Sequence, residues 1–288
     1  MMWAVRRLAA LAVMFRAVRH FAVLAVTLCA AMPAQADSVL DRVMANEVLV
    51  AASDAAYPPQ SFFNDNNEMD GFDVDVAEEI ARRLGVGLEI VTPAWETVIG
   101  GHWDGAWDVS VGSMMPTRER AKVLDFPAVY YYTPAVFAVH EDSRIFAVDD
   151  LNGKTIGVCA GCTYEFYLQD LLTINAEGVP PFTVPVEPGA LRTYETDINA
   201  FEDLKLGDGE RLDAVLSAMP TIRHAIETGY PMRIVGAPVF YEPLALAVAK
   251  GDPDWSAKLA EIVAAMHRDG TLTRLSEKWY GVDYSRAD

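Results

Sequence analysis

One arginine stands in a sequence setting that suits a bound carboxylate. Arg120 follows the apolar segment 108–115, and Thr117 is a residue type that often caps the N-terminus of a helix. Free backbone N–H groups at such a turn favour negative charge, and a guanidinium offers a flat, two-pronged hydrogen-bond donor. The pattern therefore predicts an anion site around Arg120. The alternative is an ordinary surface turn whose basic side chains are solvated.

Two cysteines form a second candidate for chemistry. Cys159 and Cys162 lie in the segment Cys-Ala-Gly-Cys, which is compatible with a disulfide, a redox pair or half of a metal site. A zinc site needs two further ligands, and the five histidines of the chain are scattered singly. A thioredoxin-like pair begins a helix in its own fold, whereas a strand pattern precedes this one. We expect a local disulfide first and two free thiols second, with no metal and no cofactor.

The first 36 residues predict an export signal. They carry four arginines and no acidic residue, then the apolar run 21–31 and the small-x-small segment Ala34-Gln35-Ala36. The run is too short to span a bilayer. We expect cleavage after Ala36 and a periplasmic mature protein. Met14 would begin a more compact signal and is an alternative start.

The charge of the chain argues against two classes of partner. The sequence holds 41 acidic and 23 basic residues, and loss of the signal's four arginines shifts the net charge from −18 to −22. Such acidity disfavours nucleic acid and anionic lipid as partners. About 250 residues remain, enough for two domains of ordinary size.

Strand and helix patterns alternate along these residues, which predicts an α/β architecture with largely parallel sheets. Two long extended segments, 130–139 and 240–248, flank the middle of the chain. Pro134 favours a connecting or edge position for the first. We expect a second lobe at 137–238, inserted into a first lobe of 37–136 plus 239–288 and joined to it by two strands. Strands are expected at 48–52, 88–91, 108–111, 155–158, 214–217 and 232–235, and helices at 74–84, 95–99, 164–172, 221–228, 255–266 and 272–279.

Eight short segments, taken in order, resemble those of a known family: 54–59, 71–75, 108–120, 125–127, 151–158, 160–163, 212–215 and 275–280. Over residues 46–288 the chain is similar to the bacterial extracellular solute-binding proteins of the polar amino-acid type, which are receptors of ABC importers. The resemblance implies the type II periplasmic-binding-protein fold, with two parallel-type sheets, a two-strand hinge and lobes that close on a small-molecule ligand. It also implies a permease partner in the inner membrane, and we expect a monomer.

The same resemblance implies ligand-binding roles for particular residues. Arg120 matches the clamp for an α-carboxylate, and Thr163 matches the second-lobe residue that meets this carboxylate on closure. Two aromatic residues match the pair that sandwiches the ligand side chain. Backbone groups near the end of segment 108–115 match those that hold the ammonium and the carboxylate. The aromatic pair is Tyr57 and Trp95, and the backbone groups are those around Ser113 and Met115. Asp54 matches a nearby polar contact, and Cys162 replaces a hydroxyl residue usual in the family.

One position departs from the family pattern. Ala218 stands where amino-acid-binding members carry the acidic residue that pairs with the ligand's ammonium. An ammonium buried without such a partner costs several kcal/mol. Three explanations stay open: a ligand without a free ammonium, a cation held against the aromatic pair, or a substitute carboxylate from Asp54, Glu195 or Glu242.

These patterns predict a non-catalytic capture protein for a small carboxylate-bearing solute. An amino-acid-like compound, a betaine or ectoine-like compound and an organic acid are all compatible with it. One alternative is an enzyme resembling the cyclohexadienyl dehydratases, which act on prephenate or arogenate, with Glu165 or Glu195 as the acid. Another is a ligand-binding partner of a membrane sensor.

Overall fold

The structure is a computed structural model of the chain, and it describes residues 38–176, 181–184 and 186–286. The expected export signal, residues 1–36, lies outside the described residues. Within them, each helix falls short of the length and apolar character that crossing a membrane requires.

Helices and strands alternate as the sequence predicts, with several additions. Helices α1 to α8 are Val39–Asn46, Phe72–Leu84, Trp95–Gly100, Thr163–Leu168, Asp197–Leu204, Met219–Glu227, Pro253–Arg268 and Thr271–Tyr280. Strands β1 to β12 are Val48–Ala52, Ala56–Tyr57, Ser61–Phe63, Met69–Asp70, Gly87–Val91, Val109–Met114, Leu124–Asp125, Val129–His140, Thr155–Cys159, Ala190–Tyr194, Ala214–Ala218 and Met232–Ala249.

One large sheet organises the described residues, with strand order β10-β9-β11-β8-β12-β6-β1-β5. Strand β1 pairs in parallel with β5 and β6, and β9 pairs in parallel with β10 and β11. We call these two parallel groups the β1 end and the β9 end. The long strands β8 and β12 are antiparallel and join the two ends. The expected α/β fold with two parallel groups and a two-strand connection is confirmed, and the exact lobe boundaries stay a prediction.

Strand β8 corrects one expectation. Pro134 favoured a connecting or edge position, and β8 does connect the two ends, but it runs through the middle of the sheet between β11 and β12. The proline is tolerated because β11 pairs with β8 only from Ala135 onward, whereas Pro134 is paired with Tyr241 of β12 alone. At this level β8 thus has a partner strand on one side only, which is a position where a residue without an N–H is accommodated.

Helix α2 shows how the fold positions a buried acid. Its apolar residues Val76, Ile80 and Leu84 recur at helical spacing and are buried in the core. Gly71 precedes the helix with a φ of 129°, and a Cβ there would lie 2.3 Å from the Gln60 carbonyl oxygen. Only glycine permits this close approach. The turn places Asp73, in the first helical turn, beneath the end of β6.

The helix predicted at 164–172 ends earlier, at Leu168. Asp170 adopts a φ of 56°, and the Leu171 N–H donates to the Phe166 carbonyl at 2.8 Å, which closes the helix end. The chain then crosses to the β1 end, where Thr117 and Ile174 form an isolated bridge. This crossing brings the two ends of the sheet together beside the cavity described next.

Candidate ligand-binding site

A cavity lies between the β1 end and the β9 end of the sheet. Eight of the nine predicted ligand-binding positions line it, and the exception is Ala218. The lining residues are Asp54, Ala56, Tyr57, Trp95, Gly112, Ser113, Met115, Arg120, Cys159, Cys162, Thr163, Tyr164, Glu195, Thr196, Asp197 and Glu242.

Arg120 is a buried cation that faces this cavity. Its side chain is 6% exposed, so the alternative of a solvated surface turn is wrong for this residue. Nη1 donates to the Met115 carbonyl at 2.9 Å and Nη2 to the Gly161 carbonyl at 3.0 Å. Nε has no partner among the described residues, and burial lowers the pKa of the guanidinium to about 10. The predicted cap is also present, since the Arg120 N–H donates to the Thr117 hydroxyl at 3.2 Å.

The Trp95 ring lies against this arginine. Trp95 begins α3, and its ring centroid is 5.1 Å from the guanidinium carbon, within cation–π range. The indole N–H is buried without a partner among the described residues. On the other side of the cavity, the Tyr57 and Tyr164 hydroxyls are 3.4 Å apart. The two predicted aromatic positions therefore both line the cavity.

Glu242 is a buried carboxylate that accepts hydrogen bonds from the start of α4 and from the connecting strand β8. It is 3% exposed and accepts hydrogen bonds from Thr163 at 2.5 Å, Tyr164 at 2.6 Å and Thr133 at 3.3 Å. Burial raises the pKa of this carboxyl, and the charge of Arg120 offsets part of the rise. The Thr163 hydroxyl, expected to face the ligand, is thus bonded to a protein carboxylate.

The turn at the end of β6 rests on a buried acid. Ser113 has a φ of 52°, and its hydroxyl donates to Asp73 at 2.6 Å. The Tyr130 hydroxyl donates to the same carboxylate at 2.6 Å and accepts from the Ser113 N–H at 2.9 Å. Burial raises the pKa of Asp73 to about 7. This network holds Ser113 in a backbone conformation that costs a non-glycine residue about 1 kcal/mol or more.

These contacts also occupy backbone groups to which the resemblance assigns ligand contacts. The Ser113 N–H is bonded to Tyr130, and the Met115 carbonyl accepts from Arg120. A ligand that used the Ser113 N–H would have to replace an internal hydrogen bond, whereas the Met115 carbonyl has a second lone pair with which it can accept another one.

The cysteine pair forms the wall of the cavity on the β9 end. The Cys159 and Cys162 sulfurs are bonded, which confirms the expected local disulfide. The bonded loop turns at Gly161, whose carbonyl meets Arg120 and whose N–H donates to Glu165 at 2.7 Å. Glu165, one acid considered for an enzymatic role, therefore supports this loop and is not among the cavity-lining residues.

Asp54 combines a structural contact with a place in the cavity wall. Its carboxylate accepts the Ala56 N–H at 2.7 Å, which is the turn-capping geometry of aspartate. Burial is the main reason why its pKa is raised, and the charge of Glu195 adds to the rise.

The sequence analysis missed the acid at the start of α5. Asp197 is 5% exposed and lines the cavity, next to Thr196, whose hydroxyl caps the helix. Burial and the nearby charges of Asp54 and Glu242 raise the pKa of Asp197 to about 7. Ile198, Phe201 and Leu204 recur at helical spacing after the Thr196 cap, and this pattern could have located the helix.

Ala218 lies at the end of β11, where it pairs with Ala135 of β8 and is fully buried. It does not line the cavity, so no side chain projects into the ligand space from this position. Among the described residues, no group of three or more His, Cys, Asp or Glu side chains is arranged to hold a metal ion.

Comparison with known proteins places this geometry in context. The model of the bacterial extracellular solute-binding proteins, family 3, matches residues 49–282. The L-cystine-binding protein TcyJ of Escherichia coli (strain K12) is 29% identical over 273 residues, which cover 92% of this chain and 95% of that protein. The ABC transporter arginine-binding protein 1 of the same strain is 29% identical over 232 residues, 78% of this chain and 88% of that protein.

A solved structure shares the fold over most of the chain. The ancestral amino acid-binding protein AncCDT-1, described as a precursor of cyclohexadienyl dehydratase, superposes with a TM-score of 0.72 at 29% identity. The match covers 84% of this chain and all of that one.

Proposed function

The chain belongs to family 3 of the bacterial extracellular solute-binding proteins, and from this membership we propose that it captures an amino-acid-like solute for an ABC importer. In this proposal the mature protein is a periplasmic monomer, released after Ala36, that delivers its ligand to an inner-membrane permease. The cavity between the β1 end and the β9 end is the binding site, and the two ends close on the ligand by bending at β8 and β12.

The observation that carries the proposal is the buried guanidinium of Arg120. It faces a cavity, it forms no ion pair with a carboxylate among the described residues, and its Nε lacks a hydrogen-bond partner there. A buried cation of this kind favours an anionic ligand, and its flat donor edge suits a carboxylate. The family members that bind cystine and arginine, both amino acids, support the same class of ligand.

A binding screen tests the proposal. We expect that at least one of L-cystine, L-arginine and L-glutamine raises the melting temperature of the purified protein and binds stoichiometrically by calorimetry. The methyl ester of that amino acid, which lacks the free carboxylate, serves as the matched ligand control and should bind at least about 30-fold more weakly. Equal binding of acid and ester would exclude a carboxylate clamp at Arg120.

The same preparation tests the enzymatic alternative. In our proposal the protein binds without turnover, since Glu165 is held by the Gly161 N–H behind the cavity wall. Prephenate incubated with the protein should release no phenylpyruvate, read by ultraviolet absorbance. Turnover that depends on Glu195, the exposed acid at the cavity, would favour a dehydratase instead.

A further inference from the structure

The cavity carries far more negative than positive charge. Four carboxylates line it, and Arg120 is the one basic side chain among the described lining residues. None of the four forms an ion pair with a lysine, arginine or histidine in the described part of the chain. Burial of unpaired carboxylates is costly, so the charge of each needs a separate account. The four are Asp54, Glu195, Asp197 and Glu242.

Three of these carboxylates are already compensated. Glu242 accepts hydrogen bonds from three hydroxyl groups and lies in the field of Arg120. Asp54 accepts the Ala56 N–H at 2.7 Å and so caps its own turn. Glu195 is exposed at the edge of the cavity, where water screens its charge. The charge of each of the three is therefore stabilised at least in part by the protein or by water, although burial still raises the pKa of Asp54 and Glu242.

Asp197 lacks such compensation. It is 5% exposed, and its charged neighbours within the cavity are the acids Asp54 and Glu242, whose negative potential opposes ionisation. The pKa of Asp197 remains raised to about 7, although the nearby Ser217 hydroxyl and the backbone N–H of Asp197 itself lower it in part. A cation placed against Asp197 would remove both the desolvation cost and the repulsion.

The position of Asp197 also explains how the site can do without an acidic residue at Ala218. Ser217 and Ala218 end β11, and Asp197 begins α5 beside Ser217. The buried methyl group of Ala218 contributes no charge to the cavity, whereas the carboxylate of Asp197 enters from the neighbouring helix. The acid is therefore supplied by a different element of the same end of the sheet.

We propose that Asp197 binds a cationic nitrogen of the ligand while Arg120 binds its carboxylate, so that the solute is an amino acid with a free ammonium group. This inference rests on the proposed function and narrows it. Organic acids, which lack the cationic nitrogen, are excluded as high-affinity ligands. Among the three explanations for Ala218, a substitute carboxylate is the one that this geometry supports, and the substitute is Asp197.

The test uses Asp197→Asn, which keeps the shape of the side chain and removes its charge. The probes are L-cystine, L-arginine and L-glutamine, each paired with its analogue without α-amine: 3,3′-dithiodipropionate, 5-guanidinopentanoate and glutaramate. For the best-bound amino acid, we expect Asp197→Asn to raise the dissociation constant at least about 50-fold, because the ammonium loses a buried charged partner. The analogue should bind both proteins weakly and within about threefold of each other, since it lacks the α-ammonium that Asp197 is proposed to hold, and the cationic guanidinium of 5-guanidinopentanoate lies at the far end of that molecule.

A matched control removes a carboxylate from the same helix outside the cavity. Glu202 lies on α5 with a side chain that is 52% exposed, and Glu202→Gln should leave every dissociation constant within about twofold. Urea unfolding establishes that Asp197→Asn is folded. If it is not, Asp197→Ser replaces it in the same comparison.

The outcomes separate the two proposals. If the wild-type protein binds an amino acid and the folded Asp197 variant binds it within threefold of the wild type, Asp197 is not the cation site, and the proposed function stands. The inference is likewise overturned if the wild-type protein binds the analogue as tightly as the amino acid. If the wild-type protein binds none of the three amino acids, the proposed function fails together with the inference.

Discussion

We expect the Arg120 side chain to contribute most of the free energy with which the protein binds the carboxylate of its ligand. Arg120→Ala should weaken binding of the best ligand by about 2–5 kcal/mol, because it removes a buried charge partner and leaves the ligand carboxylate unpaired. Calorimetry should show this as a rise of about 30- to 5,000-fold in the dissociation constant. Arg118→Ala is the matched control, since Arg118 is exposed two residues away. A change of less than threefold in Arg120→Ala would contradict the assignment.

Asp73 makes stability depend on pH. Its pKa is about 7 in the folded protein and near 3.8 when unfolded, so the folded state holds the proton more tightly. Stability is therefore greatest below the unfolded pKa and falls as pH rises through the folded one, by at most about 4 kcal/mol. Asp73→Asn cannot ionise, so its free energy of unfolding should fall less between pH 4.5 and 7.5.

Urea unfolding at four pH values in that range measures the difference. Asp65→Asn, which removes an exposed turn carboxylate, is the control and should follow the wild-type curve. Parallel curves for Asp73→Asn and wild type would show that Asp73 ionises in the folded state as it does in water.

At the scale of elements, the entry into α2 depends on a glycine. An alanine at Gly71 would place a Cβ 2.3 Å from the Gln60 carbonyl oxygen, at a φ of 129° that L-residues rarely adopt. Gly71→Ala should lower the free energy of unfolding by about 2–4 kcal/mol, read from urea denaturation. Gly87→Ala is the comparison, because its nearest contact is an ordinary 3.5 Å. Equal stability of the two variants would mean that the Gly71 turn relaxes freely.

Most elements could be predicted from the sequence because they carry their own local pattern. Strand β1 occupies the predicted residues, and α2 differs from its prediction by two residues at its start. Helix α5 was missed because it is short, so that its helically spaced apolar residues Ile198, Phe201 and Leu204 give a weaker pattern than those of the long helices. The contacts of Glu242 with Thr163 and Tyr164 join residues 79 and 78 positions apart, which no local pattern encodes. Asp197 was not predicted to face the cavity because the helix that carries it has a weak local pattern. The hydrogen bonds of Glu242 were not predicted because they join residues far apart in the sequence.

At the scale of the whole molecule, hydrogen bonds join the two ends of the sheet across the cavity. Arg120 reaches Gly161, and the Gln60 amide and Thr221 hydroxyl are 3.0 Å apart. Beside the cavity, the Arg118 N–H donates to the Thr173 carbonyl at 3.0 Å. A ligand that spans from Arg120 to Asp197 would add contacts to both ends at once and favour this joined arrangement.

Hydrogen exchange tests this expectation. A saturating amino-acid ligand should slow amide exchange at 112–116 and at 160–164 together, because the two segments face the same ligand from opposite ends. The terminal helix α8 provides an internal reference that should not change. Arg120→Ala at the same ligand concentration should lose the protection in both segments. Protection confined to one segment would argue against joint closure.

The pairing of β8 with β12 has a consequence for how such a protein can be rebuilt. His140 and Met232 are paired across the two strands, and the Glu141 N–H donates to the Pro231 carbonyl at 2.9 Å. The segment between them, residues 141–231, therefore begins and ends at adjacent positions of the paired strands β8 and β12. Recombination or engineering can exchange residues 141–231 for those of a relative by rejoining two adjacent points. Arg120 would remain in the recipient protein, whereas Asp197 would be exchanged together with residues 141–231.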